Sequence, residues 1–447
     1  MAYAHATLNT MLAALAARLH DPSFAHWSSL ELTAYLKATL RTWNAAAAVT
    51  RGRMTVTLVS GSRFYDLGTQ AGTLLPRTVT DAEIMELIEY HLLEPATTAS
   101  WTGSEQFTWE DVRGAIERRR NQFLLETGVV VSHSQLAYAP DPDGRAVLAD
   151  TTIDVRRLSF KDPDGVFTHL WREDEYSLQC FDPAAPSNPR TPYAYAQIAG
   201  PPLTLQLAPP PADSGTLDLL TVSSGATLDP AAGVALGIPD DLAWVVAWGA
   251  LADLLGKDGP GFDGQRAAYC EQRWQEGLEI ARLSTTVLQA RWNTALMPID
   301  SISDLDHFRT GWENETPGEP EMLALAGWNM LVAAPPADGN YVLTIDVLRN
   351  FPIPAAAEYV QVGREHLDVL LDYAEHLALF KSGGAEFQAT SEHYKRFMRL
   401  ASQLNQRWRA AAVFADVLHD RARLEEEQVP RRDPANPAAI SASMEDR

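Results

Sequence analysis

The 447 residues, 46% of them hydrophobic, suffice to bury two or three cores, which excludes a wholly disordered chain. With 58 acidic side chains against 36 basic ones, the formal charge of −22 repels polyphosphate and anionic membrane, and argues against a general nucleic-acid binder. Two isolated cysteines, Cys180 and Cys270, exclude a disulfide scaffold or zinc ribbon and read as small buried side chains of a protein made in a reducing cytoplasm.

Met1 to His5 lacks the basic start and apolar run of an export signal, and Met11 to Leu19 already has helical spacing with Arg18 inside it. The sequence therefore predicts a chain that is not exported. The longest apolar stretch, Leu242 to Leu255, contains Asp253 and is too short to cross a bilayer. Ser28-Ser29-Leu30-Glu31 predicts a helix start, since a serine oxygen accepts from the free amides of a first turn; Leu32, Tyr35, Leu36 and Leu40 then share one face. Met54 to Val59 alternates and is rich in β-branched residues, which predicts a strand ending at Ser60-Gly61-Ser62. Thr80-Asp81-Ala82-Glu83 is a capping box for a helix to about Leu93, and a further helix is expected from Thr108 to about Glu126.

From 131 to 235 the texture becomes β-rich. Asp-Pro-Asp-Gly occurs at Asp141–Gly144 and again at Asp162–Gly165, where proline fixes φ and glycine supplies a positive φ for a turn. Strands are expected over Thr152 to Phe160, Tyr193 to Ile198, Leu203 to Leu207 and Leu217 to Val222, with Pro209 to Gly215 joining the last two as antiparallel neighbours. A helical hairpin follows, to about Leu255 and then from about Gln265 to Trp292, broken at Gly256–Gly261. Prolines at 298, 317, 320, 335 and 336 predict an irregular connection. Tyr341 to Leu348 alternates as a strand, and Glu365 to Phe380 with Thr390 to about Glu427 forms a second hairpin. Residues 430–447, rich in Pro, Ala, Ser and charge, cannot bury enough to fold alone.

The expected fold class is α+β: a mainly helical region with one inserted strand (1–130), a β-rich module (131–235), a helical hairpin with an irregular connection (236–335), a strand with a second hairpin (336–429), and a flexible tail (430–447). Gly259 and Gly384, Phe262 and Phe387, Tyr269 and Tyr394, and Trp248 and Tyr373 are each 125 positions apart. That offset raises an internal duplication, which so few identities leave open.

Motifs for chemistry are missing. Gly249 and Gly256-Lys257 are spaced too far for a phosphate loop, and Asp258 stands where a hydroxyl residue is needed. His366 and His376 are ten apart, Asp300, Asp304 and Asp306 lack a closing glutamate for calcium, and no Gly-x-Ser-x-Gly occurs. A glycosidase needs only two carboxylates at a fixed separation, so a hydrolase stays open as an alternative. No cofactor is expected. Arg113, Arg118, Arg119 and Arg120 form the densest basic group, read as a solvated helix face paired to glutamates, or as a contact with DNA in a channel or with an acidic neighbour. Trp248, Tyr269, Trp274, Tyr373 and Tyr394 are the candidates for core or subunit contact.

Leu170-Trp-Arg-Glu-Asp, Pro192-Tyr-Ala-Tyr195, Leu203-Thr-Leu-Gln-Leu-Ala-Pro-Pro-Pro, Thr216-Leu-Asp-Leu-Leu, Trp248-Gly-Ala-Leu-Ala-Asp-Leu-Leu and Arg266-Ala-Ala-Tyr-Cys-Glu-Gln-Arg273 resemble virion structural proteins encoded beside the head and neck genes of tailed bacteriophages. These include the adaptor or connector proteins that attach beneath the portal. The resemblance is clearest over 166–282, and a looser one covers Tyr341 to about Glu427. It implies a non-enzymatic subunit made in the host cytoplasm and built into the virion neck. Its implied partners are copies of itself in a ring, twelvefold if it seats on the portal, with the portal protein, a tail or nozzle protein, and passing genomic DNA. No membrane is implied. Another tail position, as nozzle, tail-tube or fibre-attachment protein, is the structural alternative. A cellular binding module is the remaining one.

Overall fold

Ser28 and Thr108, 80 positions apart, each cap a 19-residue helix by accepting from a backbone amide three residues on, and each helix ends on a left-handed residue, Ala48 or Gly128. That coincidence is the first sign of a larger one. The computed structural model describes residues 6–48, 51–70, 76–92, 106–181, 188–200, 202–283, 287–293, 295–348, 353 and 355–406. In chain order, α1 (Leu8–Arg18) and α2 (Ser29–Ala47) lead into β1 (Arg51–Leu58), β2 (Phe64–Asp66) and the single turn α3 (Leu67–Gln70). The order helix, helix, strand, strand then recurs as α4 (Asp81–Leu92), α5 (Trp109–Thr127), β3 (Ser132–Tyr138) and β4 (Arg145–Val147). Next come β5 (Thr152–Lys161), β6 (Phe167–Arg172), α6 (Glu175–Phe181), β7 (Ala194–Ile198), β8 (Thr204–Ala208), β9 (Gly215–Ser223) and the hairpin of α7 (Ala243–Leu255) and α8 (Gly264–Leu283). A similar series closes the chain: β10 (Val287–Trp292), β11 (Ala295–Met297), β12 (Ile299–Ser301), α9 (Ile302–Phe308), β13 (Met322–Ala326), β14 (Met330–Ala334), β15 (Tyr341–Leu348), α10 (Leu367–Leu379) and α11 (Gly384–Ala389). Residues 391–406 are helical.

The fold is mixed α+β, and strand order gives it a specific form. One nearly closed, barrel-like sheet runs β3-β9-β5-β6-β7-β8-β4. Two four-stranded sheets run β1-β15-β10-β11 and β12-β13-β14-β2. Laid end to end, these two repeat the order of the first. In the first sheet, β6 pairs antiparallel with β5 through one half and parallel with β7 through the other. Likewise β11 pairs antiparallel with β10, and β12 parallel with β13; Pro298, without an N–H to give a ladder, stands between β11 and β12. The short helix α6 or α9 follows in each, β8 and β14 both end at Ala-Pro, and Thr7 and Thr80, each just before a first helix, bridge to Tyr359 and Ala235. The chain thus holds two copies of one unit, the second inserted into the first. The outer unit comprises α1, α2, β1, β2, β10–β15, α10, α11 and 391–406; the inserted unit comprises α4, α5, β3–β9, α7 and α8.

Each unit buries its own sheet core, Leu158, Phe160, Leu205, Leu217 and Leu219 in the inserted unit and Val56, Leu58, Leu343, Ile345 and Val347 in the outer one. The helices of both merge into a single core. Every residue of α7 except Asp253 is buried, as a helix apolar all round requires.

Several expectations change. The strand at Met54–Val59 is not an insertion in a helical region, because β1 pairs with β15 from the far end of the chain. Val287–Trp292, expected to end a helix, is β10, and the proline-rich 298–335 contains β12, α9, β13 and β14. Pro209 to Gly215 joins β8 to β9, but these are not neighbours: β8 pairs with β7 and β4, β9 with β3 and β5. The expected helix beyond 406 and the tail at 430–447 lie outside the described residues.

Candidate functional site

The densest polar and aromatic chemistry lies where the two units meet. On the helical side, α8 of the inserted unit packs against α10, α11 and 391–406 of the outer one. The fully buried Arg273 donates to Tyr373 Oη at 2.9 Å, to Glu276 at 2.6 Å and to Tyr394 Oη, with its guanidinium 4.0 Å over the Tyr394 ring. His376 bridges the units, its Nε2 2.9 Å from Tyr269 Oη and its Nδ1 2.9 Å from Thr390 Oγ1. His91 is enclosed by the rings of Tyr35, Trp248 and Phe380, with centroids 5.1 to 5.3 Å away. Burial pushes both imidazoles down to about 3, so they are neutral at pH 7. Burial also raises the Cys270 thiol well above its ordinary range, which removes the thiolate a nucleophile would need.

The candidate residues therefore act within one chain. Trp248, Trp274, Tyr373 and Tyr394 are buried in the joint helical core, the first of the two roles, core or subunit contact, that their sequence setting allowed. Tyr269 is half-buried with its hydroxyl on His376. The four arginines of α5 do not form one basic face. Arg120 is 1% exposed and donates to the Ala226 carbonyl at 2.7 Å. Arg119 binds Asp253 at 2.6 Å and Glu271 at 2.9 Å, its guanidinium 5.1 Å from the Trp274 ring. Only Arg113, paired to Glu110, and Arg118, paired to Asp253 at 3.2 Å, reach the surface in numbers that suit the solvated-face reading.

On the sheet side the junction rests on residues that, Asp306 apart, the sequence did not mark. Arg157 of β5 forks onto Asp306 at 2.7 and 2.8 Å and donates to Glu313 at 3.0 Å, while Ser159 donates to Glu313 at 2.8 Å. Trp312 donates to Asp306 at 2.8 Å, and Arg157, Asp306 and Glu313 are all buried. Asp306 drew notice as one of three loop acids, and its partner is an arginine of the other unit. Phe64 stacks on His133 at 4.3 Å, and Asn314 exchanges two bonds with the Phe167 backbone, both at 2.7 Å.

A third contact is the β13–β14 turn of the outer unit, seated on the link between α5 and β3. Gly327 has φ +63°, and a Cβ there would stand 2.7 Å from the Gly128 carbonyl oxygen. Beside it, Asn329 accepts from the Val131 amide and donates to the Val131 carbonyl, both at 2.9 Å, which completes two buried backbone groups. Asn329→Ala would leave both unmet, at about 1–3 kcal/mol each. Urea denaturation should show a loss of about 2–4 kcal/mol; a loss below about 1 kcal/mol would mean that the turn is not a joint.

The carboxylates of these networks, Glu276, Asp306 and Glu313, each pair with an arginine of the same network. Among the described residues no group of three or more His, Cys, Asp or Glu side chains could hold a metal ion, and no helix is long and apolar enough to cross a membrane. No protein-family model matches the chain, and a search among curated proteins finds no match either.

Proposed function

We propose that this chain is a structural subunit of a tailed-phage particle, set in the ring stack that joins head to tail. The observation that carries this reading is the nested pair of like units, welded by buried polar networks on both sides of their junction. A part that must transmit force and hold a bore open needs rigidity, and interlocked copies of one unit supply it without catalysis. The phrases that resemble connector proteins support the reading from a second side. Those at 166–282 fall on β6 through α8 of the inserted unit, and the looser ones begin at β15 of the outer unit, the counterpart of β9 within that range. Both units thus carry the same resemblance in the same part of the fold.

The ring would consist of copies of this chain between the portal protein and a tail or nozzle protein, lining the passage for DNA. A formal charge of −22 suits that place, since an acidic subunit does not hold the phosphate backbone and lets the genome pass. Particles purified from infected cells should contain the chain in fixed ratio to the portal, and cryo-electron microscopy of the protein mixed with its portal should place it below that ring. Absence from purified particles would end the reading. So would reproducible release of sugars or peptides when the pure protein meets peptidoglycan or host polysaccharide.

A further inference from the structure

On its sheet side the junction between the units is one-sided. The inserted unit gives the outer face of β3, β9 and β5, where Arg157, Ser159 and Asp218 are 3%, 0% and 2% exposed. The outer unit gives its opposite side: β2, α9 and the β13–β14 turn. A twofold pair would use each face twice, whereas a heterologous pair leaves one copy of each face unused at its two ends. Among the described residues both of these faces are uncovered. On the outer unit, the face of β1, β15 and β10 that corresponds to the covered one carries exposed Arg53 and Arg291 beside half-buried Gln289 and Thr344. On the inserted unit, the side that corresponds to β2 and α9 is β4 and α6, where Val147 is 58% and Tyr176 is 76% exposed. The β7–β8 turn at Gly200 likewise has nothing within 4 Å of a Cβ placed on it, unlike Gly327 in the corresponding turn.

Charge on the unused faces follows the pattern of the joined ones. Within the chain, an arginine of the sheet face, Arg157, meets carboxylates of the helix side, Asp306 and Glu313. On the free faces, Arg291 lies on the sheet beside Arg53, which is bonded to Asp346 at 2.7 Å, and the exposed Glu173 and Glu175 flank Asp174, which caps α6 by accepting from the Ser177 amide. We infer that a second copy of this chain docks there, the β1–β15–β10 face of one copy covering the α6 side of the next. Each such contact repeats the join already made inside the chain, so copies add head to tail and close into a ring where the rotation allows. The inference takes its biological setting from the ring reading, while the two faces are identified from the fold.

Sedimentation of the full-length chain should show association that grows with concentration. Arg291→Glu in one variant, and Glu173→Lys with Glu175→Lys in another, should each weaken it on the order of tenfold by setting like charges opposite. Mixing the two variants should restore association, because every contact between unlike variants then pairs opposite charges. Both should melt with the wild-type protein, since these side chains are exposed. A wild-type chain that stays monomeric, or association that neither reversal moves, would overturn the inference. Association through these faces by a chain that never enters particles would sink the phage reading and leave the interface standing. Particles that incorporate both variants at unchanged yield would do the reverse.

Discussion

Arg157→Met should lower the unfolding free energy by about 3–5 kcal/mol, the usual loss when one partner of a buried ion pair is removed. Arg157 is the only cation bonded to both Asp306 and Glu313 among the described residues, and all three side chains are buried. Methionine fills much of the arginine volume, so packing changes little and the cost arises from two carboxylates left in a low-dielectric site. The same argument sets a control. Replacing all three together, as Arg157→Met with Asp306→Leu and Glu313→Met, should recover part of the loss, because the desolvated charges are gone while Trp312 Nε1 and Ser159 Oγ lose their acceptors. Urea denaturation of the single and triple variants measures both. A single variant within about 1 kcal/mol of wild type would show that the network does not hold the units together.

That network marks the limit of what the sequence discloses. Features that depend on a few neighbouring residues were legible: the caps at Ser28 and Thr80, the helix start at Thr108, and the turn in which Asp141 Oδ1 accepts from the Asp143 and Arg145 amides. Alternation in Met54–Val59 identified a strand, but its partner is β15, with Arg51 opposite Leu348, and no local pattern carries that pairing. The inserted unit accounts for most of the separation and so hid the nesting of the two copies. Val287 to Trp292 follows a helix without a glycine or proline between them, so periodicity alone could not divide helix from strand. The prolines of 298–335 were read as breakers of structure, whereas Pro298 and Pro335 stand at the ends of strands.

The site was partly legible for the same reason. The 125-residue offset paired Tyr269 with Tyr394, and the fold brings these two rings to 6.2 Å across the junction. Arg157 and Ser159 alternate with Leu158 and Phe160, which puts them on the outer face of their own sheet. From sequence such a face reads as solvated. Only the packing of a second unit makes it an interior.

Between pH 7 and pH 5 the protein should lose about 3–4 kcal/mol of stability, most of it from His91 and His376. Burial holds His91 at about 3, helped by the nearby cations Arg266 and Lys381, and burial holds His376 at about 3, helped by Arg273 and His393. An unfolded histidine takes up its proton near pH 6.5. Below that value the unfolded chain binds two protons that the folded chain refuses, so stability present above about pH 6.5 falls steadily until the folded imidazoles titrate near 3. Carboxylates contribute in a different window: Asp111, held at about 2 by its bond to Lys257, yields its share only below about pH 4. The two histidines are separable. His91 Nδ1 has no hydrogen-bond partner and its ring lies among aromatic rings, so His91→Phe should keep stability at pH 7 within about 1.5 kcal/mol and remove about half of the acid loss. His376 bonds through both nitrogens, so His376→Phe should destabilise at both pH values by leaving Tyr269 and Thr390 without that partner. Chemical denaturation at the two pH values distinguishes these outcomes, and an acid loss that His91→Phe leaves unchanged would show that this imidazole is not kept neutral by the core.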